Sequence, residues 1–290
     1  MSSELRSPTG QDIREFYDSQ TRRKLRDFID GNDRVEAAWL MLTEWLPTPC
    51  NSVLEVGCGI GFVSWRIASI IPHAKVLGLD VSPKSVEIAT RLFKRPNLTF
   101  KEQLLLPGSL GERFDCVLLM DVYEHIEPAA RGNLHAAVGE VLSDTGRVVL
   151  SFPSPWMLAW QRLHQPEEIQ PIDEQITWRE IGRFAADIGR EVLCLKSVNV
   201  WHVGDYCHAV LGRIEFPTPL PRARSSSRSL KARVYNRVLS KVTRDSDRSR
   251  SSRRERLAMV RQAFGAKYDP SDPSPLELPA RRDSSNPGQK

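Results

Sequence analysis

The stretch Ser52-Val53-Leu54-Glu55-Val56-Gly57-Cys58-Gly59-Ile60-Gly61-Phe62 decides how this chain is read. Val53, Leu54 and Val56 make a short apolar strand. Three glycines within five residues then make a tight turn, where the backbone bends sharply and a ligand can lie against peptide groups that a Cβ would shield. Val63, Ile67 and Ile70 or Ile71 follow at helical spacing. The free N–H groups at the start of that helix point back at whatever sits on the turn.

A dinucleotide-binding turn, G-x-G-x-x-G, would need glycine at position 62, where this chain has phenylalanine. The run Glu55 to Gly61, E-V-G-C-G-I-G, closely resembles the first motif of the class I S-adenosylmethionine-dependent methyltransferases. In that family the turn faces the amino-acid end of the cofactor, and no pyrophosphate is involved. The resemblance implies Glu55, Gly57, Gly59 and Gly61 as cofactor-binding positions. Asp80 ends the next strand, followed by Val81, and the resemblance puts both beside the cofactor. A carboxylate there offers two acceptor oxygens to ribose hydroxyls, at the strand end that opens on the ligand crevice of an α/β sheet. That acid marks a nucleoside without saying which one.

The run Phe114-Asp115-Cys116-Val117-Leu118-Leu119-Met120-Asp121-Val122-Tyr123-Glu124-His125-Ile126 separates the two families. It looks like the fourth-strand signature of the methyltransferases, F-D-x-V-x-x-x-D-V-x-E-H. By that resemblance Met120 lies beside the cofactor, with Asp121, Glu124 and His125 at the pocket mouth. Gln103 takes the place after the third strand where the family commonly has an acid for the adenine amine; its carbonyl can accept instead. Asn32-Asp33-Arg34 resembles the N-x-x-R element of ubiquinone-pathway O-methyltransferases, one residue shorter, and implies Arg34 as a cofactor carboxylate ligand. If the acceptor is a hydroxyl, a base must take its proton, and His125 is the best-placed candidate. Asp121-x-x-Glu124-His125 is also similar to the metal-binding element of small-RNA 2′-O-methyltransferases, with Asp173 or Glu174 available as a further ligand. Those enzymes use a histidine that this chain lacks, so no metal is expected.

Around these motifs the pattern alternates. Strands at 52–56, 75–80, 98–102, 115–120 and 146–152 are interleaved with helices at about 61–71, 83–94 and 130–143. Ser82-Pro83 is a strong helix start. Unbroken apolar strands between helices predict a parallel sheet covered on both faces. Residues 153–176 read as a loop bearing Pro and Trp. Thr177 to Glu180 is a capping box, and two strands at about 191–199 and 206–214 form a terminal hairpin. The expected fold is α/β and Rossmann-like: a mostly parallel seven-stranded sheet, helices on both faces, and an antiparallel hairpin at its end. Upstream, residues 11–30 read as one helix and a second, begun at Asp33, carries Val35, Trp39, Leu42 and Trp45.

Five cysteines without a C-x-x-C pair read as reduced thiols, and the polar start Met1 to Arg6 lacks the apolar segment of a signal peptide. No apolar run reaches the roughly 20 residues needed to span a bilayer. Cytoplasmic placement is the resulting expectation. The net charge of +5 is uneven: residues 222–261 carry 14 Lys/Arg against three acids, a net +11, and residues 1–221 carry −6. Within the basic segment Leu230, Val234, Val238 and Val242 form a stripe, and a short helix is expected at 253–264. From Tyr268 onward Pro, Ser and Asp predict disorder.

The expected organisation is a helical lid over 1–50, a class I methyltransferase domain over 51–216 and a basic, partly disordered tail over 217–290. The implied activity is methyl transfer from S-adenosylmethionine to a small molecule, preferably at oxygen. Trp156, Trp160, His164, Trp178, His202, Tyr206 and His208 are placed to rim a planar or lipid-like acceptor. An RNA methyltransferase using the tail for phosphate contacts and a non-catalytic cofactor-binding relative are the alternatives. The tail itself suits an anionic membrane surface or nucleic acid.

Overall fold

The computed structural model describes residues 9–214 and 249–278. Seven strands form one sheet: β1 (Ser52–Val56), β2 (Lys75–Asp80), β3 (Leu98–Glu102), β4 (Phe114–Met120), β5 (Leu142–Pro153), β6 (Glu191–Val198) and β7 (Tyr206–Gly212). Their order is β3-β2-β1-β4-β5-β7-β6. Strands β1 to β5 pair in parallel, whereas β7 runs antiparallel to both β5 and β6. The hairpin foreseen from the sequence therefore forms, with its second strand inserted between β5 and its first. Strand order reverses at β1, whose neighbours are β2 and β4, so the ligand crevice of this open sheet lies at the C-terminal ends of β1 and β4.

Alternate residues of each strand serve opposite faces. On one face Val53, Cys116, Leu118, Val149 and Val210 pack against Trp39 and Leu42 of α3 (Asp33–Trp45) and Ile67 of α4 (Phe62–Ile70). On the other, Leu54, Val117, Leu119 and Leu150 meet Leu134 and Val138 of α6 (Arg131–Val141), along with Ile181 and Phe184 of α8 (Trp178–Asp187). A third cluster joins Leu25, Phe28 and Ile29 of α2 (Thr21–Asp30) to Ile88 and Leu92 of α5 (Pro83–Leu92). It also takes in Val260 of α9 (Ser249–Phe264), Tyr268 and Leu276.

Three expectations change. The helix read over 11–30 is two helices, α1 (Gly10–Ser19) and α2, parted at Gln20, where the Thr21 hydroxyl binds back to the Asp18 carbonyl at 2.8 Å. The loop read over 153–176 contains α7 (Pro155–His164), started by the Ser154 cap and Pro155 at the first position. Its Trp156, Trp160 and Leu163 face outward, so the inward apolar period that announces a helix is missing. Residues 268–278 are packed rather than disordered. The two anchors Tyr268 and Leu276, at 8% and 6% exposure, are enough to seat a stretch of otherwise loop-like composition.

The Leu230/Val234/Val238/Val242 stripe lies outside the described residues. Among those that are described, no helix is long and apolar enough to cross a membrane. The five cysteines are unpaired, and Cys50, Cys58, Cys116 and Cys207 are buried.

Candidate active site

The three glycines of the turn do different work. All have positive φ, at 69°, 53° and 85° for Gly57, Gly59 and Gly61. A Cβ on Gly57 would lie 2.4 Å from Val122 Cγ2, and one on Gly61 would lie 2.5 Å from Phe100 and 2.9 Å from Ala89. Those two glycines let the turn pack against β4's end and against β3 and α5. Only at Gly59 does the Cβ direction leave the core; there it meets the flexible Lys24 side chain, with Nζ at 3.5 Å. Gly59 is the residue that opens the turn onto the crevice.

Acids brace this turn. Glu55 is buried and accepts from the Ser64 hydroxyl at the start of α4; burial pushes its carboxyl up to about 8. Asp80 accepts from Gly59 N at 2.7 Å and from Ser82 N at 2.9 Å, tying the ends of β1 and β2 together. Each of its oxygens keeps further acceptor capacity. Val81 follows it, partly exposed, before the Ser82 cap. Gln103 donates its side-chain amide to the Ser109 carbonyl at 3.0 Å, which leaves its own carbonyl as an acceptor.

At the end of β4, Met120 packs on the α3 face and Asp121 takes a left-handed φ of 55°. That turn aims Asp121 at Arg34: Oδ2 lies 3.1 Å from the guanidinium Nε, and Arg34 also donates to the Tyr206 hydroxyl at 3.2 Å. Arg34 thus orients Asp121. Asp121 Oδ1 and both oxygens of Glu124, which is 1% exposed, have no hydrogen-bond partner among the described residues. Burial raises the Asp121 carboxyl and pushes Glu124 to about 8, against the lowering influence of nearby His125 on Glu124.

His125 Nδ1 donates to Asp173 Oδ1 at 2.9 Å and to the Ile172 carbonyl at 2.8 Å, while Nε2 lies 3.8 Å from Glu124. Burial by itself lowers the imidazole pKa, but Glu124 and then Asp173 overturn that and carry it to about 9. The pair therefore holds its proton at neutral pH. Among the described residues no group of three or more His, Cys, Asp or Glu is placed to hold a metal ion. Asp173 grips His125 instead, and Glu174 donates its backbone N–H to the Glu124 carbonyl at 2.8 Å.

Helices α1 and α2 close over this ground. Asp18 accepts from the Ser82 hydroxyl at 2.5 Å and from Lys84 N at 3.3 Å. The Tyr17 ring stands 6.3 Å from the His125 ring, and Lys24 Nζ lies 5.2 Å from the Tyr17 ring. Tyr17 is partly buried next to Glu124, Asp80 and Asp173, which all raise its pKa beyond the effect of desolvation. Ile13, Phe16, Tyr17, His125, Pro171 and Ile172 line a small pocket with about 10 Å³ of free space. Further out, Trp156, Trp160 and Trp201 are exposed, and Trp160 stacks near His164 and His202 at 4.9 and 5.9 Å. Trp178 is half-exposed at the head of α8. Tyr206 and His208 are buried, and both ring nitrogens of His208 are unpartnered among the described residues.

The structure thus brings together Gly59, Asp80, Asp121, Glu124 and His125, and adds Tyr17 and Lys24, which sequence reasoning did not assign these places. Asp173, offered by the sequence with Glu174 as a further ligand beside this motif, instead holds the His125 ring. Tyr17 lies on α1 and Lys24 on α2, and only the break at Gln20 turns the two toward each other.

Residues 53–146 match the family model described as a methyltransferase domain. The ubiquinone biosynthesis O-methyltransferase of Cereibacter sphaeroides is 33% identical over 110 residues, covering 37% of this chain and 42% of that protein. A malonyl-[acyl-carrier protein] O-methyltransferase of Acetivibrio thermocellus is 24% identical over 112 residues, covering 39% and 38%. The match spans about two fifths of the length of such relatives. Among solved structures, a SAM-dependent methyltransferase from Anabaena variabilis superposes with a TM-score of 0.58 at 17% identity, over 73% of this chain and 99% of that one. Magnesium protoporphyrin IX methyltransferase from Synechocystis, with bound SAM, gives 0.53 at 20% identity, over 74% and 100%. The two structures share this fold.

Proposed function

We propose, from the premise that this chain is a class I S-adenosylmethionine-dependent methyltransferase, that it methylates an oxygen of a small molecule with an apolar or planar body. The observation that carries the reading is the trio of buried, partnerless carboxylate oxygens, Asp121 Oδ1 and Glu124 Oε1 and Oε2, beside a turn opened by Gly59. A buried acceptor left without a hydrogen-bond donor is costly, so the site is built for a ligand that brings donors, and the ammonium of S-adenosylmethionine is one. The residues present fit the cofactor.

When bound, S-adenosylmethionine supplies a methyl group already activated by its positive sulfur. What remains for the protein is alignment and proton handling. Gly59 leaves room at the turn; Asp80 offers its oxygens to the ribose hydroxyls, and the Gln103 carbonyl offers an acceptor to the adenine amine. Glu55 and Gly61 support the turn from behind, while Arg34 fixes Asp121. Lys24, without an ion pair among the described residues, is the free cation facing the turn and takes the cofactor carboxylate. Tyr17 and the neighbouring lid residues exclude water. His125 lines the pocket, with Asp173 orienting its ring through Nδ1, so Nε2 is the atom that receives a hydroxyl proton once the His125–Glu124 pair has lost its own. Oxygen as the target agrees with the similar ubiquinone and malonyl O-methyltransferases, and the tryptophans outside the pocket suit an apolar acceptor.

The test is transfer of labelled methyl from S-adenosylmethionine into a fractionated extract. Label in small molecules or lipids that is stable to conditions cleaving carboxyl esters, yet lost from O-methyl ethers on acid demethylation, is the expected result. Label confined to RNA would replace the reading, as would binding of cofactor with no transfer to any fraction.

A further inference from the structure

Helix α2 carries Lys24 over Gly59 on one side, and on the other it is gripped along its length by the C-terminal segment. At its C-terminal end the Arg253 Nε lies 2.6 Å from Asp30, and Arg256 donates to the Phe28 carbonyl at 3.1 Å. That carbonyl is one of the last-turn acceptors that a helix leaves unsatisfied. The same guanidinium stands 5.8 Å from the Phe28 ring and 5.6 Å from the Phe62 ring. Phe28 belongs to the lid, whereas Phe62 opens α4 directly after the glycine turn, so Arg256 bridges lid and turn. At the N-terminal end Arg22 donates to the Asp269 carbonyl at 3.0 Å and pairs with Asp272 at 3.5 Å, beneath the Tyr268 ring at 5.7 Å. Between the two grips Val260 is fully buried among Leu25, Phe28 and Ile29.

The pocket between α1 and the His125 loop has about 10 Å³ of free space, room for about one water against the roughly 300–1,000 Å³ of ordinary small-ligand sites. A nucleoside-sized ligand enters only if α1 and α2 move. Helix α1 is held on α5 by the Asp18 contacts to Ser82 and Lys84, which is a small polar attachment. Helix α2 has the larger one, shared between Ile88, Leu92 and Phe93 on one side and Val260, Tyr268 and Leu276 of the C-terminal segment on the other.

We propose that residues 249–278 are a latch that holds α1 and α2 shut over the turn, so that cofactor exchange is controlled by parting α9 from α2. The proposal rests on the cofactor reading of the crevice given above. It gives the C-terminal part of the chain a role in the rate of turnover with no residue in the chemistry. Any partner that competes for the α9 surface would thereby open the site.

The latch is tested in the full chain with Arg256→Ala and Val260→Asp, neither of which touches the crevice, and with Asp30→Cys/Arg253→Cys joined by a short bismaleimide. Release of S-adenosylhomocysteine is followed by stopped flow, and amide hydrogen exchange is followed over residues 10–30. Losing the Arg256 contacts should speed release and amide exchange about tenfold, the ratio corresponding to one lost charged hydrogen bond. The cross-linked pair should release more slowly than wild type treated with the same reagent. If Val260→Asp loosens the whole sheet, Arg256→Ala decides. Exchange over 10–30 at the wild-type rate in Arg256→Ala would overturn the latch, as would loosened amides with unchanged release. Absence of S-adenosylhomocysteine binding by wild type would instead sink the cofactor reading, while the exchange measurement would still judge the latch.

Discussion

Replacing Glu124 by glutamine should release His125 from its high proton affinity. Burial alone would lower the imidazole from its ordinary 6.5, yet the Glu124 carboxylate at 3.8 Å and Asp173 at 2.9 Å carry it to about 9. At about 1.4 kcal/mol per tenfold change in proton affinity, that difference favours the imidazolium by about 3 kcal/mol. Glu124 is the largest raising influence, so its loss should lower the midpoint from about 9 towards the ordinary imidazole value. The assay is a ¹⁵N ring-shift titration, with His125→Gln to assign the resonance. It is well suited to this chain, because burial lowers both His135 and His208, the latter to about 4, leaving His125 displaced in the opposite sense. Methyl transfer should then rise with pH through about 9, and the rise should move to lower pH in Glu124→Gln, since a base works only when unprotonated. A wild-type His125 midpoint below 7, or one that ignores the Glu124 substitution, would refute the account of the pair.

Lys24→Met should weaken S-adenosylmethionine binding about 10–100-fold and leave decarboxylated S-adenosylmethionine unaffected; calorimetry giving equal losses for both would return the carboxylate to Arg34. Asp80→Ala should cost about 1.5–3 kcal/mol of cofactor affinity, with an added loss of order in the turn as Gly59 N loses its acceptor; unchanged affinity would remove Asp80 from the site. Gly61→Ala should lower thermal stability through its clash with Phe100 and Ala89, costing about 1–3 kcal/mol for overpacking beyond its left-handed φ. Gly59→Ala should lose binding with the smaller stability change; the reverse order in paired melting and binding measurements would contradict the division of labour among the glycines.

The sheet was legible because its signals are local and redundant. β1, β2 and β4 are apolar runs each followed by a helix, the one after β2 announced by its own start signal at Ser82-Pro83, so a wrong boundary at one end does not disturb the rest. The insertion of β7 between β5 and β6 is not local: residues 191–212 state a hairpin, and only the pairing of Phe152 with Cys207 and of Val149 with Val210 says where it goes. Helix α7 was hidden for the opposite reason, since only Met157 and Leu158 turn inward while Trp156, Trp160 and Leu163 face solvent, and no helical apolar period results.

The site divides along the same line. Gly59, Asp80 and Asp121 follow from spacing, because a strand end fixes where the next few side chains go. What they do there depends on partners far away in sequence. Arg34 reads as a free cation beside a helix start, but Asp121 and Tyr206 both claim it, from the ends of β4 and β7. His125 reads as a base, yet its neighbours keep it protonated, and one of them arrives 48 residues later from a loop with no motif. Both changes are electrostatic, and both arise from burial: in water the Asp173 and Glu124 carboxylates would be screened from the imidazole, whereas beneath α1 they face it through little but side chain. The lid therefore sets the chemistry of the motif it covers. A variant that loosens α1 and α2 should lower the His125 midpoint towards 6.5 without any change in the residues that touch it.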